Sequence, residues 1–190
     1  MELKMKMTRK TTLLGIILCL AVMAEDPTPL VKNIHGWNTW QRPDSGGKFE
    51  RIAPSDELPQ GAMKFLPDQD KDKYFIQWYK PFPVKPIDHL RFVFTFKSDE
   101  ATNSDVAISL SLKARNQAKA WCKKPLASPQ KATIEPGKVQ ELAIEVNLPE
   151  QDIPDIATLS PMITVTNLKT GSITFTGVKA ELKEDGTDKP

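Results

Sequence analysis

Five aromatic side chains and one cation are the residues of this chain best placed to do chemistry: Trp37, Trp40, Trp78, Tyr79, Trp121 and Arg91. Indole and phenol rings stack on the apolar C–H faces of a sugar ring, and a few polar neighbours then fix its orientation. A tryptophan in a β-protein is equally at home in the core, so each ring has two possible destinations. In the strand that holds Trp78, Tyr74 and Trp78 follow Ile76 inward if Ile76 faces the core, and Phe75, Gln77 and Tyr79 then face out. The flipped strand exposes Trp78 instead. Trp37 and Trp40 have opposite parity, so a regular strand sends one of them outward.

A second candidate is the turn Asp68-Gln69-Asp70-Lys71-Asp72, where three carboxylates stand at alternate positions. Calcium takes several oxygen ligands, and Asp68, Asp70 and Asp72 could supply them as a structural ion site. The spacing is not that of an EF-hand, because Lys73 stands where the loop needs glycine and Tyr79 where it needs glutamate. No other cofactor is implied. For catalysis the sequence offers no HExxH, GxSxG, P-loop or CxxC signature. Glu50, Asp56, Glu57, Glu141 and Glu145 read as surface charges, so no catalytic residues are assigned and the chain is not expected to be an enzyme.

The elements that must position these residues are strands. Leu90/Phe92/Phe94/Phe96 and Val106/Ile108/Leu110/Leu112 alternate strictly, as do Leu142/Ile144/Val146/Leu148. Period-two alternation buries one face of a strand and shows the other. Further strands are expected at Gly36–Trp40, Lys48–Ile52, Ala62–Leu66, Tyr74–Tyr79, His89–Ser98, Asp105–Ala114, Trp121–Cys122, Val139–Leu148, Ile163–Thr166 and Ile173–Leu182. Joined by Pro/Gly/Asn/Asp loops, they make an all-β, antiparallel sandwich of about nine or ten strands. In the last strand Ile173 and Phe175 share one parity, while Val178, Ala180 and Leu182 share the other. A β-bulge at Gly177 would re-phase it. The outer positions of Asp105–Ala114 are Asp105, Ala107, Ser109, Ser111 and Lys113. Paired with Arg91, Val93, Thr95 and Lys97, they would floor and edge a shallow groove.

Residues 1–24 read as a secretory signal peptide. Lys4, Lys6, Arg9 and Lys10 precede an apolar run from Leu13 to Met23, with small residues before Glu25. The run is short for a bilayer span, so no membrane span is expected after cleavage. Residues 25–35 form an extended leader, 36–182 the domain, and 183–190 a polar tail without apolar residues. The 190-residue chain has 26 basic and 24 acidic residues. Removing the signal's four basic and one acidic residue leaves 22 and 23, a net charge of −1. Nothing in that balance points to nucleic acid. Cys122 is then the one remaining cysteine, so no intrachain disulfide can form, and it reads as a small apolar core residue.

Several stretches carry a resemblance. GWNTWQRPDSGGKFE, then GAMKF, then Trp78-Tyr79 followed by Phe82-Pro83-Val84-Lys85-Pro86 and Leu90-Arg91-Phe92, and finally Ile173–Leu182 stand in a fixed order. Together they resemble the galactose-binding-like jelly-roll domains, which include many bacterial carbohydrate-binding modules. The resemblance covers roughly Gly36 to Leu182. It departs from the family at Ile87, where such turns usually have glycine, and at Phe175-Thr176-Gly177-Val178, where many relatives carry acidic residues that help hold calcium. The resemblance implies a secreted or periplasmic, non-catalytic module whose partner is a polysaccharide or oligosaccharide. The alternative is a structural or protein-interaction sandwich of a cell-surface or periplasmic assembly, bound to another surface protein and without a sugar site.

Overall fold

The computed structural model describes residues 34–68, 75–84, 89–122, 126–148, 151 and 155–182. Within them a single 3-10 turn, Ile34–Gly36, is followed by eleven strands. They are β1 (Asn38–Gln41), β2 (Lys48–Ile52), β3 (Ala62–Leu66), β4 (Phe75–Tyr79), β5 (Phe82–Pro83), β6 (His89–Ser98), β7 (Ala107–Asn116), β8 (Gln130–Thr133), β9 (Val139–Asn147), β10 (Ile156–Thr166) and β11 (Ile173–Leu182). No helix among the described residues is long and apolar enough to cross a membrane.

Every strand pairing is antiparallel, and the strands form two sheets. One has the order β1-β4-β10-β7-β8, with β5 also on β10; the other has the order β2-β3-β11-β6-β9. The alternation read from the sequence becomes the core. Leu90, Phe92, Phe94 and Phe96 of β6 are buried against Ile108, Leu110 and Leu112 of β7, with Leu142, Ile144 and Val146 of β9. Aromatic rings fill the centre, where Trp37 and Trp78 lie 4.7 Å apart and Phe65, Phe94 and Phe175 surround Trp78. Ile34 is also fully buried, so the sandwich takes in a residue expected to belong to the extended leader. Arg51 of β2 fixes this entry, donating from Nη1 to the carbonyls of His35 and Trp37.

β6 and β7 are consecutive but lie in different sheets. The loop between them crosses the sandwich and is tied to the β10–β11 loop, chiefly by Asn103. Its Oδ1 accepts from the amides of Lys169 (2.8 Å) and Thr170 (3.0 Å), and its Nδ2 donates to the Asn167 carbonyl (2.7 Å) and to Asp105. Hydrogen bonds to the Asp105 carboxyl, first from Asn103 and then from Lys169, hold it below the usual carboxylate range.

β10 extends seven residues further back than the alternation suggests, through Pro161. A proline lacks the N–H that a central strand donates to its ladder. Here Pro161 pairs with Leu112 of β7 on one side. On the other side it falls between the last pairing of β4, at Met162, and the pairing of β5, at Leu159. The break at Lys80-Pro81 leaves a place where a missing donor is tolerated.

The bulge at Gly177 is present, and the β11–β6 register shifts between Phe175 and Gly177. β3 pairs with β11 only as far as Phe175, so the re-phased backbone at Val178 has no strand on that side. Gln60 takes its place, for its Oε1 accepts from the Val178 amide (2.8 Å) and its Nε2 donates to the Val178 carbonyl (2.9 Å). The next residue, Gly61, has φ +71°, and a Cβ there would sit 2.5 Å from the Ile52 carbonyl oxygen. Only glycine turns the chain so tightly at that point.

Both ties can be tested by substitution. Gln60→Ala strips both partners from a buried backbone pair, and should lower unfolding stability by about 1–3 kcal/mol. The urea midpoint should fall with an unchanged m-value; an unmoved midpoint would remove Gln60 as the clamp. Asp105, whose folded pKa is depressed, stabilises the loop above the ordinary carboxylate range and loses that contribution as pH falls through the depressed value. An NMR titration should find the Asp105 carboxyl below the ordinary aspartate range, with Asn103→Ala restoring it more than Lys169→Ala. An ordinary pKa in the wild type would count against the tie.

Candidate functional site

Burial of Trp78 fixes which side chains β4 shows to the outside. Residues paired directly across antiparallel strands share a face, so the exposed side of the β1-β4-β10-β7-β8 sheet can be read row by row. One row is Trp40, Gln77, Thr164, Ser109 and Lys131. The next is Asn38, Tyr79, Met162 and Ser111. Ser160 pairs with Lys113 in the third row, and Thr158 with Arg115 in the fourth.

Trp121 joins the fourth row by a bridge to Arg115. A short turn brings it there. Asn116 Oδ1 accepts from the Ala120 amide (2.9 Å), and the Lys119 amide donates to the Asn116 carbonyl (2.9 Å). Lys119 itself adopts φ 61°, a left-handed conformation that reverses the chain. The Cys122 amide then donates to the Ala114 carbonyl (2.9 Å), which keeps Trp121 beside β7. The Arg115 guanidinium lies 4.1 Å over one face of the Trp121 ring, and Lys113 Nζ lies 5.8 Å from its centroid.

The face therefore has aromatic rings at its ends and short side chains in its middle. Trp40 is 45% exposed and Trp121 44%, while Tyr79 is half-buried. Six residues of strand and four strand spacings separate the two tryptophans, about 20 Å in each direction. Between them Met162 and Ser160 form a covered floor. Two polar atoms here, Ser160 Oγ and Arg115 Nε, are buried and have no hydrogen-bond partner among the described residues. A cleft of about 270 Å³ opens beside Arg115, lined also by Asn116, Lys119 and Thr158.

Several sequence expectations are corrected. Trp37 and Trp78 cannot present a ring to a ligand, because both are in the aromatic core at 1% and 0% exposure. Arg91 belongs to the other sheet, where it pairs with Glu145 (3.2 Å) and Glu181 (3.2 Å) on the far outer face. The neighbours of β7 are β10 and β8, not β6, so the groove edge expected from Arg91, Val93, Thr95 and Lys97 does not exist. That edge required β6 and β7 to pair as a hairpin, whereas the chain crosses between sheets at this point. Of the calcium candidates, Asp68 is described, but Asp70 and Asp72 lie outside the described residues. Residues 1–24, 25–33 and 183–190 lie outside them as well. No group of three or more His, Cys, Asp or Glu side chains among the described residues could hold a metal. Cys122 is half-buried and packs against the core.

Arg115, Ser160, Met162 and Thr164 belong to the face without having been expected there. The alternation of β7, carried one residue past Ala114, places Arg115 outside. The first seven residues of β10 are hidden in the sequence because Pro161 argues against a strand, whereas Thr164 lies in the expected strand Ile163–Thr166.

No family model and no curated protein matches the chain. Solved structures match its fold. A putative sugar-binding protein from Bacteroides thetaiotaomicron VPI-5482 superposes with a TM-score of 0.54 at 12% identity, over 80% of this chain and 92% of its own. A structure described as "CBM4 structure and function" matches with a TM-score of 0.50 at 15% identity, over 83% and 96%. The enzymatically active domain of bacteriophage CBA120 tailspike protein 4 matches at 0.50 and 14%, over 80% of this chain, which spans only 20% of that domain's chain. At these identities the likeness is one of fold: a jelly-roll β-sandwich of the kind found in carbohydrate-binding modules.

The two kinds of tryptophan should separate in solution. Iodide should quench the part of the emission that comes from Trp40 and Trp121 and leave a blue-shifted remainder from Trp37 and Trp78. Trp40→Phe with Trp121→Phe should abolish the quenchable part. Quenching that survives the double change would put Trp37 or Trp78 at the surface and contradict the parity of β4.

Proposed function

We propose that this chain is a secreted or periplasmic, non-catalytic carbohydrate-binding module. It holds a glycan across the outer face of the β1-β4-β10-β7-β8 sheet by ring stacking and hydrogen bonds. The observation that carries this reading is the one-sided placement of the exposed rings. Trp40, Tyr79 and Trp121 share one outer face. The outer face of the other sheet shows none of these rings and holds the Arg91, Glu145 and Glu181 ion pairs. Trp40 and Trp121 are each nearly half exposed, and a stacked ligand would offset the hydrophobic cost of that exposure.

The remaining side chains of the face support the same reading. Gln77, Thr164, Ser109 and Ser111 offer amide and hydroxyl groups in register beneath the rings. These bind and orient a sugar, whereas cleavage of a glycosidic bond calls for a pair of carboxyl groups flanking it. The fold is that of solved sugar-binding sandwiches, and the basic-then-apolar first 24 residues are the basis for export. Trp40, Tyr79 and Trp121 are the stacking residues of this proposal.

Isothermal titration of the domain against a panel of soluble polysaccharides tests it. At least one polymer should bind saturably. Trp40→Ala and Trp121→Ala should each weaken that binding about tenfold, ~1.4 kcal/mol, without changing the far-UV spectrum. Absence of binding across the panel, or binding indifferent to both changes, would overturn the proposal in favour of an interaction module.

A further inference from the structure

The two outer faces of the sandwich differ in charge as well as in aromatic content. On the β2-β3-β11-β6-β9 sheet both signs are interspersed, as in the cross-strand set Arg91, Glu145 and Glu181. On the β1-β4-β10-β7-β8 sheet the outward rows contain three cations, Lys113, Arg115 and Lys131, and no carboxylate among the described residues. The described residues provide no ion pair for any of the three. Asp105 and Asp155 stand at the margins, before β7 and β10, and Asp105 is occupied by Lys169 (3.0 Å).

Two of the cations converge on the exposed tryptophan. Arg115 covers one face of Trp121 at 4.1 Å, and Lys113 reaches the same ring at 5.8 Å. The guanidinium carries five N–H donors in a rigid plane. One of them, Nε, is buried without a partner, and so is Ser160 Oγ, in the adjoining row of this face. The terminal Nη groups of a planar guanidinium are shaped for bidentate contact with a carboxylate or another oxyanion. Trp121 is 44% exposed, which leaves ring surface for a sugar to stack on.

We propose that the glycan is acidic, and that its anionic group is held by Arg115 and Lys113 beside Trp121. This rests on the carbohydrate-binding reading above and narrows it to one class of ligand. The shared chemistry is a sugar-borne oxyanion, which a uronic acid supplies as carboxylate and a sulfated sugar as sulfate ester. Lys131, at the other end of the face in the Trp40 row, extends the attraction along an acidic chain.

The test compares polygalacturonate, its fully methyl-esterified form, dextran sulfate and unmodified dextran at two salt concentrations. Tight binding of polygalacturonate that is lost on esterification identifies the carboxylate; tight binding of dextran sulfate over dextran identifies the sulfate. In either case affinity should fall with salt, and Arg115→Gln should weaken binding at least about tenfold, in keeping with loss of a charge-assisted bond. Lys97→Gln, an equal change of charge on the opposite sheet, should leave it unchanged. If Arg115→Gln disturbs the fold, Lys113→Met serves instead, since it keeps the aliphatic stem over the Trp121 ring. Neutral polymers binding as tightly, with no effect of salt or of Arg115→Gln, would overturn this inference and leave the carbohydrate-binding reading standing. Equal losses from Arg115→Gln and Lys97→Gln would also overturn it, by showing diffuse attraction without a site. If no polymer binds, acidic or neutral, both readings fall.

Discussion

The burial of Trp78 sets the orientation of everything that follows. Its ring packs between the sheets against Trp37, Phe65, Phe94 and Phe175. A strand's side chains alternate strictly, so one buried ring determines the direction of every other residue in β4. Register then passes that choice outward, from Gln77 and Tyr79 to Trp40 on β1 and to Thr164 and Met162 on β10, and from there to Ser109 and Ser111 on β7. A slip of one residue in β4 would drive Tyr79 and Gln77 into the core and put a large apolar ring in water. The aromatic cluster thus makes the arrangement of the outer face a consequence of packing.

Much of the fold was legible because its strands are half-buried. The strand limits expected at Lys48–Ile52, Ala62–Leu66, His89–Ser98 and Ile173–Leu182 agree with the structure. The bulge at Gly177 was legible too, since a change of parity inside one strand requires an extra residue on one side of the ladder. Strands without that signature were not legible. β8, Gln130–Thr133, is an edge strand with little apolar content, and β5 is two residues long. β10 contains a proline that only a local gap in its flanking ladder permits. For the site, the sequence offered the aromatic residues but not their faces. Trp37 and Trp40 had to point in opposite directions; which of them faced out depended on contacts with Trp78, distant in the chain.

The largest misreading concerned neighbours. Two long alternating strands joined by a short loop suggest a hairpin, and β6 and β7 have that appearance. Both are needed as core walls, however, and each already has partners: β11 and β9 for β6, β10 and β8 for β7. The crossing loop is therefore held by specific bonds rather than by a shared ladder. Asn103 supplies them, using both its amide oxygen and its amide nitrogen. One consequence is that β7 meets β10, and their outward Ser109, Ser111, Ser160 and Thr164 form a low floor that charged β6 residues would have raised.

Four of the buried polar atoms without partners among the described residues contrast the core with the face. Trp37 Nε1 and Trp78 Nε1 are enclosed by aromatic rings, where an N–H can do no better than lie against a π face. Their cost is borne by the packing of large rings that no smaller side chain could reproduce. Ser160 Oγ and Arg115 Nε are different, because they lie in the two rows nearest exposed Trp121, and Arg115 also lines an open cleft. Leaving a donor or acceptor unsatisfied costs roughly 1–3 kcal/mol wherever it occurs. In the core that cost is a by-product of ring shape. At the outer face it falls on the seam of β7 and β10, where the guanidinium that lies over Trp121 keeps its Nε out of water.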